Sequence, residues 1–539
     1  VNTLGTPEGP VAGTLANNGL GAEEWTGATR ANAEMLIRQL PSVLRSPVQR
    51  TLLRKLLLTP APPPDGESTE SFNGLRIRTL LNAGLVDDAA DLAVQVNAPA
   101  FPDAARAQAD ALLFAGRDNE ACGDATAYRL QSGEPFWVEL RAFCYALTGD
   151  TEALELTRSV MDAQGIDPEF PTLLNAMTTP VAKANPKANA KANAKAKPQA
   201  AVPFGEANAL KLRLLEKLKL SIPAEVAATG DLPTLLLIAR SENATSSMRI
   251  AAAKKLFQAG VLPDALFQQI LDLYSFKPGE LAGADALARS EGTFDGIARL
   301  NAALKNQTKN AQRADLLHTA FAIGERDGLL PQIAHLFGES AAALQPSSDW
   351  SNWASLMGRA LMLDGKYDAA QRWYAALNPA NPLDTARINR LQLALGLAAP
   401  NDIRTAQSQG ALSWMAVQAT ASDPSAVAEA VLNVGLYDAL GRKMPPDAEA
   451  AVSALMALPS AGRRPESALM KRIDQAALDG QRGILVLSVM DAIGQDPDDL
   501  APDVVVRLVR ALATGGANDA ARALAVEAVL TQRLEGASG

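Results

Sequence analysis

Only two histidines and two cysteines occur in the 539 residues, aromatic side chains make up 5%, and each scarcity removes a class of chemistry. No apolar run reaches the roughly 18 residues a membrane-crossing helix needs, so no transmembrane span is expected. His318 and His335 stand 17 residues apart, in LLHTAFAIG and QIAHLFG. Both stretches read as helix interiors, and the spacing does not fit a compact zinc motif. The expectation is two structural histidines with half-buried rings and no metal. A G-x-S-x-G elbow and a phosphate-cradling G-x-x-x-x-G-K-[ST] loop are also missing. Glu134 and Glu139 flank Trp137, and Asp349 precedes Trp350. At hairpin starts such residues read as helix caps rather than as an acid/base pair. No catalytic centre and no cofactor are therefore expected.

The charge balance excludes a further class. With 59 acidic and 50 basic side chains the net charge is −9, against the basic face that phosphate pairing requires, so nucleic acid is not an expected partner. Residues 1–20 contain neither Met nor a basic stretch leading into an apolar core. The expectation is a mature chain that has lost a targeting segment, or one that begins at an arbitrary point.

What is abundant is Ala and Leu, which lose little side-chain entropy in a helix. The fold class expected throughout is all-α. Residues 1–24, rich in Gly, Pro, Asn and Thr, read as a flexible N-terminal arm. Helical patterning begins at Trp25, with Met35, Leu36, Leu40, Val43 and Leu44 as its first apolar stripe, and TPAPPPDGES at 59–68 ends it.

A repeat follows. LLNAGLVDDAADLAVQV, LLFAGRDNEACGDATAY and YALTGDTEALELTRSVM align on Gly84, Gly116 and Gly149. Each glycine suits the left-handed position that ends one helix, and the Ala-rich stretch after it forms the returning helix of a hairpin. Related turns are expected at Gly260, Gly365, Gly435 and Gly516.

The cysteines fall within this pattern. Helices expected at about 119–130 and 135–147, with a turn near Ser132 and Gly133, place Cys122 and Cys144 at one height of an antiparallel hairpin. Facing each other they meet disulfide geometry, and closing that loop contributes roughly 3 kcal/mol. The other reading is two buried free thiols. A disulfide implies an oxidising compartment, here the bacterial periplasm, and free thiols imply the cytoplasm.

The segment AKANPKANAKANAKAKPQA at 182–200 carries Lys183, Lys187, Lys191, Lys195 and Lys197. It reads as an exposed connector over 181–202, dividing a helical domain at 25–180 from one at 203–539. Its lysines are a candidate contact for an anionic surface, although a low-complexity linker with solubilising lysines is the favoured account of them. ALKLRLLEKLKLSIP at 209–223 has leucines around too much of its circumference for an interfacial helix and is expected to be buried between neighbours.

Residues 350–382, WSNWASLMGRALMLDGKYDAAQRWYAALNPANP, resemble a tetratricopeptide repeat. Trp353, Leu356, Ala360, Gly365, Tyr367, Ala369, Trp373 and Ala376 stand at its characteristic positions, and Met357 stands where it has a small residue. The resemblance implies a superhelical α-solenoid that presents a surface to protein partners. In being long, Ala-rich and helical, the chain is also similar to the non-catalytic superhelical part of soluble lytic transglycosylases. That likeness implies association with peptidoglycan or another acidic envelope polymer, with further hairpins where that family places its catalytic domain. A self-associating structural accessory of the envelope is the third reading. For a non-catalytic scaffold the best anchors are large amphipathic rings. Trp353 and Trp373 occupy core positions of the repeat, so Trp350, Tyr374 and Trp414 are the candidate binding residues, with Trp350 and Tyr374 expected to be exposed.

Overall fold

The computed structural model describes residues 11–41, 43–96, 101–129, 134–166, 170–171, 173–174, 208–398, 402–419, 424–455, 461–494 and 499–531. Among them are 27 α-helices and no strand, as an Ala- and Leu-rich composition dictates. Packing groups the chain into two units, one of residues 1–21, 57–256 and 261–270 and one of residues 22–56, 257–260 and 271–539. This grouping differs from a split at 181–202. Lys183, Lys187, Lys191, Lys195 and Lys197 lie outside the described residues, and helices from both sides of them share the first unit.

The helices α1 (Arg30–Gln39) and α2 (Pro47–Leu58) come first. The first unit is built on three hairpins: α3 (Phe72–Asn82) with α4 (Val86–Ala93), α5 (Pro102–Phe114) with α6 (Asp118–Arg129), and α7 (Pro135–Thr148) with α8 (Thr151–Gln164). Their turn glycines have φ of 76°, 75° and 75° at Gly84, Gly116 and Gly149. At the first, the Gly84 amide donates to the Leu81 carbonyl at 2.8 Å and the Leu85 amide to the Leu80 carbonyl at 2.9 Å. That pair of bonds satisfies the last carbonyls of α3 and requires a residue that tolerates positive φ. Gly116 and Arg117 repeat it on Leu113 and Leu112.

After the lysine segment come α9 (Ala209–Lys217), α10 (Ala224–Thr229), α11 (Leu232–Arg240), α12 (Ser246–Gln258) and α13 (Asp264–Leu271). As its leucine distribution predicts, α9 is an interior helix, with Leu210, Leu212, Leu214 and Leu215 buried and its side laid against α5. Asp118, the buried first residue of α6, receives Arg213 of α9 at 2.8 and 2.7 Å and Lys217 at 2.8 Å.

The N-terminal arm corrects an expectation. Over residues 11–21 it is tied down, with Ala12 and Leu20 buried. The buried Arg76 guanidinium donates to the carbonyls of Ala12 at 2.9 Å, Leu57 at 2.8 Å and Thr59 at 3.0 Å. The Leu15 amide reaches the Leu58 carbonyl at 3.0 Å, and the Leu20 amide reaches the Thr59 hydroxyl at 2.9 Å. Composition made these residues look unattached because their fastening comes from a side chain more than fifty positions away.

In the second unit, α14 (Ala284–Ser290), α15 (Thr293–Asn306), α16 (Asn310–Arg326), α17 (Leu330–Ala342), α18 (Ala354–Leu363), α19 (Tyr367–Ala375), α20 (Pro382–Ala398) and α21 (Asp402–Gln418) pair as successive hairpins. The first helices of those hairpins, α14, α16, α18 and α20, also pack on one another in order. Next come α22 (Pro424–Ala439), α23 (Pro446–Leu455), α24 (Ser467–Leu478), α25 (Arg482–Ile493), α26 (Pro502–Thr514) and α27 (Asn518–Thr531), and α27 crosses α18, α20 and α22. Trp25 is buried on Gly483 at the start of α25, and the Val48 amide donates to Glu527 of α27 at 3.0 Å. Met35, placed in the first apolar stripe, is 43% exposed, outside the buried face formed by Ala33, Leu36 and Ile37.

Gly365 and Gly516 are turn glycines with φ of 71° and 79°, as expected, but Gly435 is not. It lies inside α22, where a Cβ would come 2.7 Å from Cγ2 of Val506 on α26. The turn belongs to Gly441, with φ of 62°, whose neighbour Arg442 donates to the Tyr437 carbonyl at 2.9 Å.

Arg76→Met keeps the bulk and removes the donor to three buried carbonyls. It is expected to cost roughly 3–5 kcal/mol in urea unfolding and to open residues 11–21 to limited proteolysis under native conditions.

Candidate binding surface

The hairpin of α18 and α19 concentrates the aromatic side chains. A 3-10 segment, Ser348–Trp353, leads into α18, and within it Trp350 has φ −105° and ψ 15°. This bridge-region conformation accompanies the presentation of Trp350 and Trp353 in one group. Four rings follow one another. Trp373, buried in α19, lies 6.0 Å from Trp350 with 30° between planes; Trp350 lies 6.2 Å from Trp353 at 19°, and Trp353 lies 5.3 Å from His318 of α16 at 21°. The row runs from a core residue to three half-buried rings.

The structure therefore moves one candidate and adds another. Tyr374 is buried rather than exposed. Its ring lies on Gly358, where a Cβ would fall 2.0 Å from Cε2, and its hydroxyl donates to the Ser355 carbonyl at 3.4 Å. Burial raises its pKa. The small residue of the α18 contact is thus Gly358, one position after Met357, itself buried. Trp350 is half-buried, and so is Trp414, which stands on another hairpin, in α21. His318 was missed as a site residue because it belongs to the preceding hairpin. The signal available was its distance of 35 residues from Trp353, close to the 34-residue period of the tetratricopeptide repeat that residues 350–382 resemble.

Burial of the His318 ring, with the Arg289 charge next in effect, holds its pKa below the ordinary 6.5, while Glu325 works weakly against both. Arg289 itself donates to Thr319 at 2.9 Å. Burial, with Asp285 next in effect, raises the pKa of Asp315 on the same helix. Further along these two helices Glu325 pairs with Arg359, which also donates to the Leu530 carbonyl at 3.3 Å. They border a cavity of about 280 Å³ that Arg45, Asp327, Asp499 and Glu527 also line. Its four carboxylates already have partners: Arg359 for Glu325, Arg326 at 2.8 Å for Asp327, Arg463 at 2.9 Å for Asp499 and the Val48 amide at 3.0 Å for Glu527. The cavity is a seam between paired groups.

His335 is exposed rather than half-buried, and its Nδ1 lies 2.6 Å from Oδ1 of Asp364. Among the described residues no cluster of three or more His, Cys, Asp or Glu side chains could hold a metal ion, and no helix is long and apolar enough to cross a membrane. Cys122 and Cys144 stand at disulfide distance, with a Cα separation of 5.6 Å, as the hairpin register requires. Comparison of the chain with family models, curated proteins and solved structures gives no match.

Because the folded state disfavours His318 protonation, the associated stability is fully present above about 6.5 and is lost as pH falls from there through the lowered folded-state value. In a His335→Gln background the single remaining imidazole is expected to titrate below 6.5 by proton NMR. Trp353→Ala, which restores solvent to the ring, is expected to move the midpoint back up.

Proposed function

We propose that the chain is a non-catalytic adaptor that binds a protein partner through a superhelical run of tetratricopeptide-like hairpins in its second unit. The ordered packing of α14, α16, α18 and α20 supports the superhelical reading, since hairpins stacked in register bring their first helices together. The observation that carries the function is the aromatic row. Trp350, stacked on the buried Trp373, and Trp353, stacked on Trp350, are large rings held in place before binding, so little ordering entropy is lost when a partner covers them. Truncating an anchor of this kind costs about 2 kcal/mol or more of binding energy. The disulfide-distance cysteines support an oxidising compartment, and we place the adaptor in the periplasm on that ground.

A photo-crosslinking residue at Asn352, exposed between Trp350 and Trp353, tests the reading in the native host. A discrete protein adduct is expected, and it should disappear when Trp350 and Trp353 are both changed to Ala. No adduct, or one of wall polymer or of a second copy of this chain, would overturn it in favour of an inert scaffold, a wall-bound factor or a self-associating one.

A further inference from the structure

The helix α6 is fastened differently from its neighbours. Its sequence, DNEACGDATAYR, contains no Leu, Ile, Val, Met or Phe. Asn119, Glu120 and Gly123 are exposed, and Ala121 is its buried apolar contribution over the first turns. Gly123 sits in the interior, where glycine costs about 1 kcal/mol relative to Ala. No close approach demands it, since a Cβ there would meet nothing within 4 Å. A twelve-residue helix of this composition is unstable by itself. Two ties hold it. Asp118 is gripped by Arg213 and Lys217 of α9, and one turn later Cys122 is bonded to Cys144 of α7. By contrast α7 buries Phe136, Trp137, Val138, Leu140 and Phe143.

The two sulfurs also differ in access. Cys144 is 4% exposed, whereas Cys122 is only partly buried. A thiolate from solvent therefore reaches the bond from the Cys122 side. We propose that Cys122 is a thiol-exchange site for a small or protein thiol, and that opening its bond to Cys144 releases α6 beyond its first turn. In the first step the incoming thiolate forms a new S–S bond to Cys122, and the Cys122–Cys144 bond breaks. Its electron pair leaves on Cys144, which takes a proton from solvent. A second thiolate then attacks the mixed disulfide and departs as the oxidised thiol, leaving Cys122 reduced. The two electrons that reduce the protein come from the thiol donor. Asp118 still pins the first turn to α9, so the release is confined to the rest of α6.

The test uses the whole, folded chain incubated with glutathione, quenched with acid and an alkylating agent, and mapped by peptide mass, with hydrogen exchange measured in parallel. The expected result is glutathione on Cys122, the alkylating group on Cys144, and protection of residues 122–129 reduced about tenfold or more while α5, α7 and α9 keep theirs. The Cys122→Ser/Cys144→Ser variant is expected to show the same local loss without glutathione. If it does not fold, the glutathione-treated natural chain still decides. An adduct on Cys144, exchange that requires denaturant, unchanged protection of α6, or loss of protection throughout the unit would each overturn the proposal.

Discussion

Close approach between helix backbones is the constraint on which this structure depends. A chain with 5% aromatic residues and an Ala-rich interior buries little apolar area per side chain, so dense packing has to come from bringing helices together. Glycines without a turn to make serve that purpose. At Gly74 a Cβ would lie 2.9 Å from the Cα of Ala104, which sets α3 on α5. Gly396 admits Ser408 and Tyr437 from two further helices, and Gly435 admits Val506. Gly358 admits the ring of Tyr374, which then supports the contact between α18 and α19 beneath the tryptophans. A larger residue at these points forces whole helices apart, which is costlier than local crowding in a tolerant core.

The aromatic row is a product of that packing. Trp373 is fixed because α19 lies close to α18, and Trp350 stacks on Trp373 because the 3-10 segment leads its residues across the start of α18. Trp353 and His318 then meet because α16 and α18, first helices of adjacent hairpins, pack directly. The same contact desolvates the imidazole and lowers its pKa. The proposed recognition surface, the hairpin order and the pH response of His318 all rest on one arrangement of helices. The release proposed for α6 depends on a different case, a helix without Leu, Ile, Val, Met or Phe that adds the Cys122–Cys144 pair and an ion network to its packing on α5 and α7.

Features governed by neighbours in sequence were legible without the structure. The glycine spacing at 84, 116 and 149 predicted the hairpins because a left-handed cap is a local requirement. The register of Cys122 and Cys144 followed from the length of two helices and one turn. Features governed by distant partners were not. A turn glycine and a contact glycine look alike until Val506 is known to face Gly435. Tyr374 reads as an exposed ring until Gly358 is seen to receive it, and residues 11–21 read as free until Arg76 is seen to hold them. His318 joins the row only through the packing of α16 on α18, which nothing near it in sequence announces.

Hydroxyl-radical footprinting of the six tryptophans, in the purified protein and inside the native host, tests the central claim most directly. The account predicts that Trp350 and Trp353 are oxidised in the purified protein and protected in the cell, while Trp25, Trp137 and Trp373 stay silent in both. Equal oxidation of Trp350 and Trp353 in the two settings would contradict it, because a row that nothing covers is not a recognition surface.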